Sequence, residues 1–307
     1  MDLVRAGHVI AGVDGSAQSI RAAEFAAVEA ELRGTPLEII HALPVPIPLP
    51  NAVGLPSAGS LVEARTRLNA IVEELRGRHE GLPVAGAVLL GRASDVLVAH
   101  SAVGQLVVVG ARGSASTERL LLGSVSLTVA THARCPVVVV PEGIDDVRRV
   151  VVGTDGSAAS AAAVDVAFEE AENRGCPLQV LSAVDPSGYG VSWFWTLVPP
   201  ISDVRDAAEE VLGREIAGFR RRHPDVEVGT EIVTSRPASA LLDRASPDTL
   251  VVIGTHGYGN VRGVLLGSVG QNVLHHTTGP TLIVHLPRDR GIDRSEYGLS
   301  APWSPAS

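Results

Sequence analysis

The stretch that decides the fold is Leu106-Val107-Val108-Val109-Gly110-Ala111-Arg112-Gly113, followed after nine residues by Gly123-Ser124-Val125-Ser126. The aliphatic run reads as a buried strand, and residues 125–134 read as a helix. A strand that ends in glycines, crosses a loop and enters a helix at Gly-Ser suits an anion. Backbone N–H groups converge there, and the helix dipole favours negative charge. The pattern returns at Leu250-Val251-Val252-Ile253-Gly254-Thr255-His256-Gly257, again with nine residues before Gly267-Ser268-Val269-Gly270. The distance from Gly110 to Gly254 is 144 positions, and from Gly123 to Gly267 it is the same.

Outward from the first copy, residues 9–13 form a short apolar strand ending at Asp14. Gly15 turns the chain and Ser16 is a fitting N-cap for a helix over 17–33. Ala22, Ala23, Ala26, Ala27 and Ala30 give that helix a small-residue face, and Gly34 suits its stop. A second strand over 36–43 runs into the proline-rich segment 44–50, expected as a surface loop near the mouth of the site. A helix over 61–78, a strand over 83–90, a helix over 94–101, a strand over 105–110 and a strand over 136–140 complete the unit.

Strands alternating with helices predict right-handed crossovers and a parallel, doubly wound sheet. Ligands of such sheets sit at the carboxyl ends of strands, where the strand order reverses. If strands one and four are neighbours, as in a 3-2-1-4-5 order, Asp14 and Gly110 face one crevice. Residues 142–149 link this unit to a second, where Val151-Val152-Gly153-Thr154-Asp155-Gly156-Ser157 answers Ile10 to Ser16 at an offset of 141. The change of offset from 141 to 144 places a net three extra residues between strands two and three of the second copy, where the loop from Asp185 to Trp195 changes character. An internal repeat of this kind predicts two tandem α/β domains, over 1–143 and 148–287, and a flexible tail over 288–307.

Hydrophobic residues make up 45% of the chain and aromatic residues only 3%, so each core is expected to be aliphatic, as buried parallel strands require. A formal charge of −9 argues against nucleic acid and against anionic membrane surfaces as partners. All 25 Lys+Arg residues are Arg. That excludes a P-loop lysine, Schiff-base chemistry and a lysine general base. Cys135 and Cys176 each precede a proline and are expected as buried, unpaired thiols. No signal-peptide pattern opens the chain and no apolar run reaches the ~18 residues of a membrane span, so the cytoplasm is expected.

The candidate ligand-binding residues are Gly12, Asp14, Ala42, Gly110, Arg112, Gly113, Gly123, Ser124, Val125 and Ser126 in the first copy. In the second they are Gly153, Asp155, Ala183, Gly254, His256, Gly257, Gly267, Ser268, Val269 and Gly270. Glycine lets backbone approach a phosphate closely and reach positive φ. Gly-Ser can be only a helix cap, but two copies with identical internal spacing favour a cradle. Asp14 and Asp155 either cap the following helix or offer a carboxylate to a ribose, a base edge or a magnesium ion. Arg112 and His256 either meet an anion or are solvated loop residues.

These residues resemble the ATP-binding branch of the universal stress proteins, in the tandem form common in actinobacteria: Gly-x2-Gly-x9-Gly-Ser after a strand, with Asp at the end of strand one. The resemblance spans residues 8–286. It implies a Rossmann-like fold of the adenine nucleotide alpha hydrolase type, strand order 3-2-1-4-5, that binds ATP, usually with magnesium. It implies Asp14 and Asp155 on the adenosine side, with magnesium a further role for either, and the backbones of Ala42 and Ala183 against the adenine. It further implies pairing of the two halves as an internal pseudo-dimer, a possible homodimer, and a regulatory role in stress with a protein partner that the residues do not name. A slow magnesium-dependent ATPase and a dimerisation module without nucleotide are the alternatives. No base stands beside the cradle except the two aspartates, which favours binding over turnover. Gly270 in place of Ser126 removes a hydroxyl from the second copy.

Overall fold

The computed structural model describes residues 7–45, 57–113, 122–185, 201–255 and 266–285, with the side chains of 201–204 excepted. The chain divides into two compact units, Met1–Gly143 and Ile144–Ser307. In the first, the strands are β1 (Val9–Val13), β2 (Leu37–Leu43), β3 (Val84–Leu90), β4 (Leu106–Gly110) and β5 (Val137–Val140). The helices are α1 (Ala17–Arg33), α2 (Ala58–Arg78), α3 (Ala93–His100) and α4 (Ser124–His132). The strands lie in the order β3-β2-β1-β4-β5, and every pair is parallel. Val9 is level with Leu37 on one side and Leu106 on the other, so strand order reverses at β1.

The second unit repeats this arrangement with β6 (Arg149–Thr154), β7 (Leu178–Ala183), β8 (Val228–Val233), β9 (Thr249–Gly254) and β10 (Thr281–Val284). Its helices are α5 (Ala158–Arg174), α6 (Ile201–Arg222), α7 (Pro237–Leu242) and α8 (Ser268–His276). Its order is β8-β7-β6-β9-β10, again all parallel. Leu178 is level with Val228 where Leu37 is level with Val84, so the extra residues lie between β7 and β8. Most of that loop, residues 186–200, lies outside the described residues, as do the segment 46–56 and the tail from 286.

Local chemistry explains the helix ends. Ser16 and Ser157 cap α1 and α5 by accepting the N–H groups of Ser19 and Ser160 at 3.2 Å. Gly34 and Gly175 end the same helices in the left-handed conformation, at φ 60° and 59°, where a Cβ would be strained. Helix α2 begins three residues before the expected 61, because Ser57 accepts the N–H of Ser60 and caps a turn that contains Gly59.

The cores are aliphatic where the helices meet the sheets. Ala22, Ala23, Ala26, Ala27 and Ala30 of α1 are all fully buried, as are Ile10, Leu37 and Val107 of the sheet. Each fully buried Leu, Ile or Val contributes roughly 1.5–3 kcal/mol. The small face brings α1 close to β4: a Cβ on Gly110 would sit 3.3 Å from the Gln18 carbonyl oxygen. In the second unit the contact is closer, with a Cβ on Gly254 reaching 2.7 Å from the Ala159 carbonyl. There Phe168 stacks on Phe219, with ring centroids 5.5 Å apart.

Both cysteines are free, but only Cys135 is buried. Burial pushes its thiol up from the ordinary 9.0 to about 12. Cys176 is half-buried, contrary to expectation, because it follows the helix stop at Gly175 and is flanked by exposed Gly175 and Pro177. Desolvation still raises its thiol, opposed by the charge of Arg174.

Candidate functional site

Strand β1 ends at Val13, and the turn that follows is built around Asp14. Its Oδ1 accepts the N–H of Ser16 at 3.0 Å, and its own N–H donates to Ser19 Oγ at 3.2 Å. Gly15, at φ +83°, makes the reversal that only glycine adopts without strain. The Ser19 hydroxyl then donates to the Ser16 carbonyl at 2.9 Å. One carboxylate oxygen thus organises the helix entry, as the capping reading requires. The other, Oδ2, points to the glycine loop: a Cβ on Gly113 would lie 2.6 Å from it. Gly113 is needed so that the loop can pass the carboxylate.

The loop after β4 is anchored on three sides. Ala111 N–H donates to the Val140 carbonyl at 2.8 Å, and the Ala111 carbonyl accepts the Gly123 N–H at 2.8 Å. The buried Ser126 hydroxyl donates to the Gly110 carbonyl at 2.6 Å. Helix α4 starts at Gly123 with no side-chain cap, and its first internal bond runs from Leu127 N–H to the Gly123 carbonyl at 3.0 Å. The N–H groups of Ser124, Val125 and Ser126 therefore have no acceptor inside the helix and carry its positive dipole end. Helix α1, by contrast, closes its start with Ser16.

These elements enclose one cleft, with a cavity volume of about 180 Å³. Gly12, Asp14 and Ala42 line it from β1 and β2; Gly110, Arg112 and Gly113 line it from the loop; Gly123, Ser124, Val125 and Ser126 line it from α4. Every residue singled out in the first copy is thus brought to one place. Their parts differ from expectation in two respects. None of Gly110, Gly113 and Gly123 has positive φ, nor do Gly254 and Gly267 in the second unit. Close approach, not left-handed backbone, is what these glycines supply. Ser126 spends its hydroxyl on Gly110, so its contribution to the cradle is its N–H group.

Further lining residues went unrecognised in the sequence. Ile40 shares a face of β2 with Ala42, so strand alternation could have found it. Ala93 and Leu97 come from α3, and only the packing shows that this helix reaches the cleft. Leu97 also explains Gly12: a Cβ there would meet its Cδ1 at 2.7 Å. His41 donates from Nδ1 to the Val13 carbonyl at 2.9 Å and ties the two strand ends together. Arg112 has its Nη2 3.9 Å from Glu142 Oε2, just beyond the end of β5.

The second unit repeats the frame. Asp155 Oδ1 accepts the N–H of Ser157 at 3.0 Å, and Gly156 turns at φ +75°. Gly153 admits Leu241 of α7 as Gly12 admits Leu97, with 3.2 Å to a Cβ. Ala183 ends β7, Gly254 ends β9, and Gly267, Ser268, Val269 and Gly270 open α8. The Gly267 N–H donates to the Thr255 carbonyl at 2.9 Å, matching Gly123 and Ala111. His256 and Gly257 lie outside the described residues. At Gly270 the place of the Ser126 side chain is filled by Leu266, whose Cγ would be 2.9 Å from a Cβ. Leu266 is only 3% exposed.

The pattern of the Universal stress protein family matches residues 6–141 and again 146–285. The chain belongs to the universal stress protein family. A universal stress protein of Mycobacterium tuberculosis is 33% identical over 312 residues, which cover 92% of this chain and 96% of that protein. One from Mycolicibacterium smegmatis is 34% identical over 290 residues, covering 90% and 96%. Among solved structures, a universal stress protein from Archaeoglobus fulgidus superimposes with a TM-score of 0.65 at 19% identity, over 94% of this chain and 100% of that one. That likeness is one of fold: mostly parallel sheets with alternating strands and helices in two tandem domains. Among the described residues, no helix of this universal stress protein is long and apolar enough to cross a membrane.

Proposed function

We propose that this universal stress protein binds an adenine nucleotide, ATP, in the first unit's cleft, and that the second unit holds an equivalent site with altered chemistry. The observation that carries the reading is the convergence of an aspartate turn, a glycine loop and an uncapped helix start on one cleft at the carboxyl edge of the sheet. The phosphates would meet the N–H groups of Ser124, Val125 and Ser126. Asp14 would take a ribose hydroxyl, and the base would lie between Ile40, Ala42 and Leu97, with the Ala42 backbone at its edge. Every lining group the phosphates would meet is neutral backbone or Arg112, which suits an anion in a chain without lysine.

The residues fit the nucleotide better than a free metal ion. Among the described residues no group of three His, Cys, Asp or Glu side chains suits a metal. Magnesium would therefore be held mainly by the phosphates, with Asp14 or Asp155 as a single carboxylate contact. Nucleotide occupancy would change the surface offered to a protein partner. Two measurements test the reading. Mass spectrometry of small molecules released from the purified, denatured protein is expected to find adenine nucleotide. ATP at about 100 times its Kd is expected to add roughly 2.7 kcal/mol of stability. Absence of both would overturn it.

A further inference from the structure

Among the described residues Arg112 is the one cationic side chain lining the cleft, and it faces two ways. It is 24% exposed, and its Nη2 lies 3.9 Å from the Glu142 carboxylate, itself 63% exposed. The backbone fixes this meeting. Ala111 N–H is bonded to the Val140 carbonyl, which holds Arg112 beside the end of β5, and Glu142 follows Val140 by two residues. A Cβ on Gly123 would lie 3.5 Å from the Arg112 Cα, so the arginine also stands against the uncapped start of α4. Between the helix start and Glu142, the guanidinium can serve a ligand's phosphate or the carboxylate, and full bonding to one draws it from the other.

We propose that Glu142 competes with nucleotide phosphate for Arg112 and so sets how strongly the first cleft prefers highly charged nucleotides. The proposal rests on the nucleotide reading above. A solvent-exposed ion pair is worth only about 0.2–1 kcal/mol. Phosphate can therefore displace Glu142, at a cost of about 1.4- to fivefold in affinity. The sequence of the second unit offers neither partner. At the 144-residue offset, Arg112 is answered by His256 and Glu142 by Leu286.

The test is a titration of the full chain with ATP and with adenosine, followed by NMR at the amides of Gly123 to Leu127, which report on this cleft. Glu142→Gln is expected to lower the ATP Kd about 1.4- to fivefold and to leave the adenosine Kd unchanged. Arg112→Gln is expected to raise the ATP Kd and to abolish the effect of Glu142→Gln in the double variant. A Glu142→Gln effect that persists without Arg112 would show simple repulsion and overturn the proposal. So would an ATP Kd that does not change, or adenosine and ATP moving alike. If these amides respond to neither ligand in the unaltered protein, the nucleotide reading falls and this proposal with it; if they respond but Glu142→Gln is silent, only this proposal falls.

Discussion

Replacing Gly113 with alanine separates the cleft's architecture from its stability. Gly113 is exposed and has no positive φ, so alanine suits its backbone. Its new Cβ would stand 2.6 Å from Asp14 Oδ2, whereas ordinary contact begins at 3.4 Å. The carboxylate must retreat by about 0.8 Å, the difference between the two. It is the end of a side chain that can rotate, so unfolding free energy should change by no more than about 0.5 kcal/mol, as for other exposed positions. Binding should respond more. A hydrogen bond to a charged group is worth about 1.5–3 kcal/mol, so losing the Asp14 contact should weaken ATP about ten- to a hundredfold. Calorimetric titration measures the loss, and urea unfolding checks the fold. A second cycle identifies the route: in an Asp14→Ala background Gly113→Ala should cost almost nothing more, because the group it displaces is gone. Unchanged ATP affinity in Gly113→Ala, or full additivity with Asp14→Ala, would refute the reasoning.

Four other outcomes follow from the structure. Gly123→Glu fits the backbone at φ −66° but puts negative charge at the uncapped helix start, so bound ATP per chain should drop by the share of the first site, counted by equilibrium dialysis, while the protein stays folded. Ser126→Ala leaves the Gly110 carbonyl without its 2.6 Å partner and should cost about 1–3 kcal/mol in urea unfolding. Cys135 should make the protein less stable in alkali. Its thiol is raised from 9.0 to about 12 on folding, so its contribution is intact below pH 9.0 and is lost as pH rises toward 12, because only the unfolded chain gives up the proton. A melting temperature that falls more steeply above pH 9.0 than in Cys135→Ala would support this; equal slopes would count against it. At neutral pH a thiol reagent should label half-buried Cys176 first.

Much of the frame is legible because it is local. Ser16 and Gly34 bracket α1, Val107 to Val109 form a buried strand, and equal spacing in two copies marks the loops that meet the cleft. Long-range geometry is less legible. Nothing in the order of residues shows that α3 lies over β1, so neither Leu97 in the cleft nor the packing reason for Gly12 could be read. Glu142 is 30 positions from Arg112 and meets it only because β5 lies beside β4. The need for glycine at 113 was visible, but its cause was not. A left-handed backbone and a close approach select the same residue, and only the Asp14 carboxylate at 2.6 Å distinguishes them.

The exchange of Ser126 for Gly270 should also give the two halves different responses to temperature. Beyond the backbone bond that both helix starts share, α4 is held by the Ser126 hydroxyl on the Gly110 carbonyl, whereas α8 is held by burial of Leu266 together with the Gln271 amide on the Leu266 carbonyl at 3.0 Å. Apolar burial weakens on cooling, while a hydrogen bond does not share that dependence. In the cold, the entry to α8 should therefore loosen before the entry to α4. A chain that carries the same loop twice would then have one clasp that depends little on temperature and one that grips better when warm.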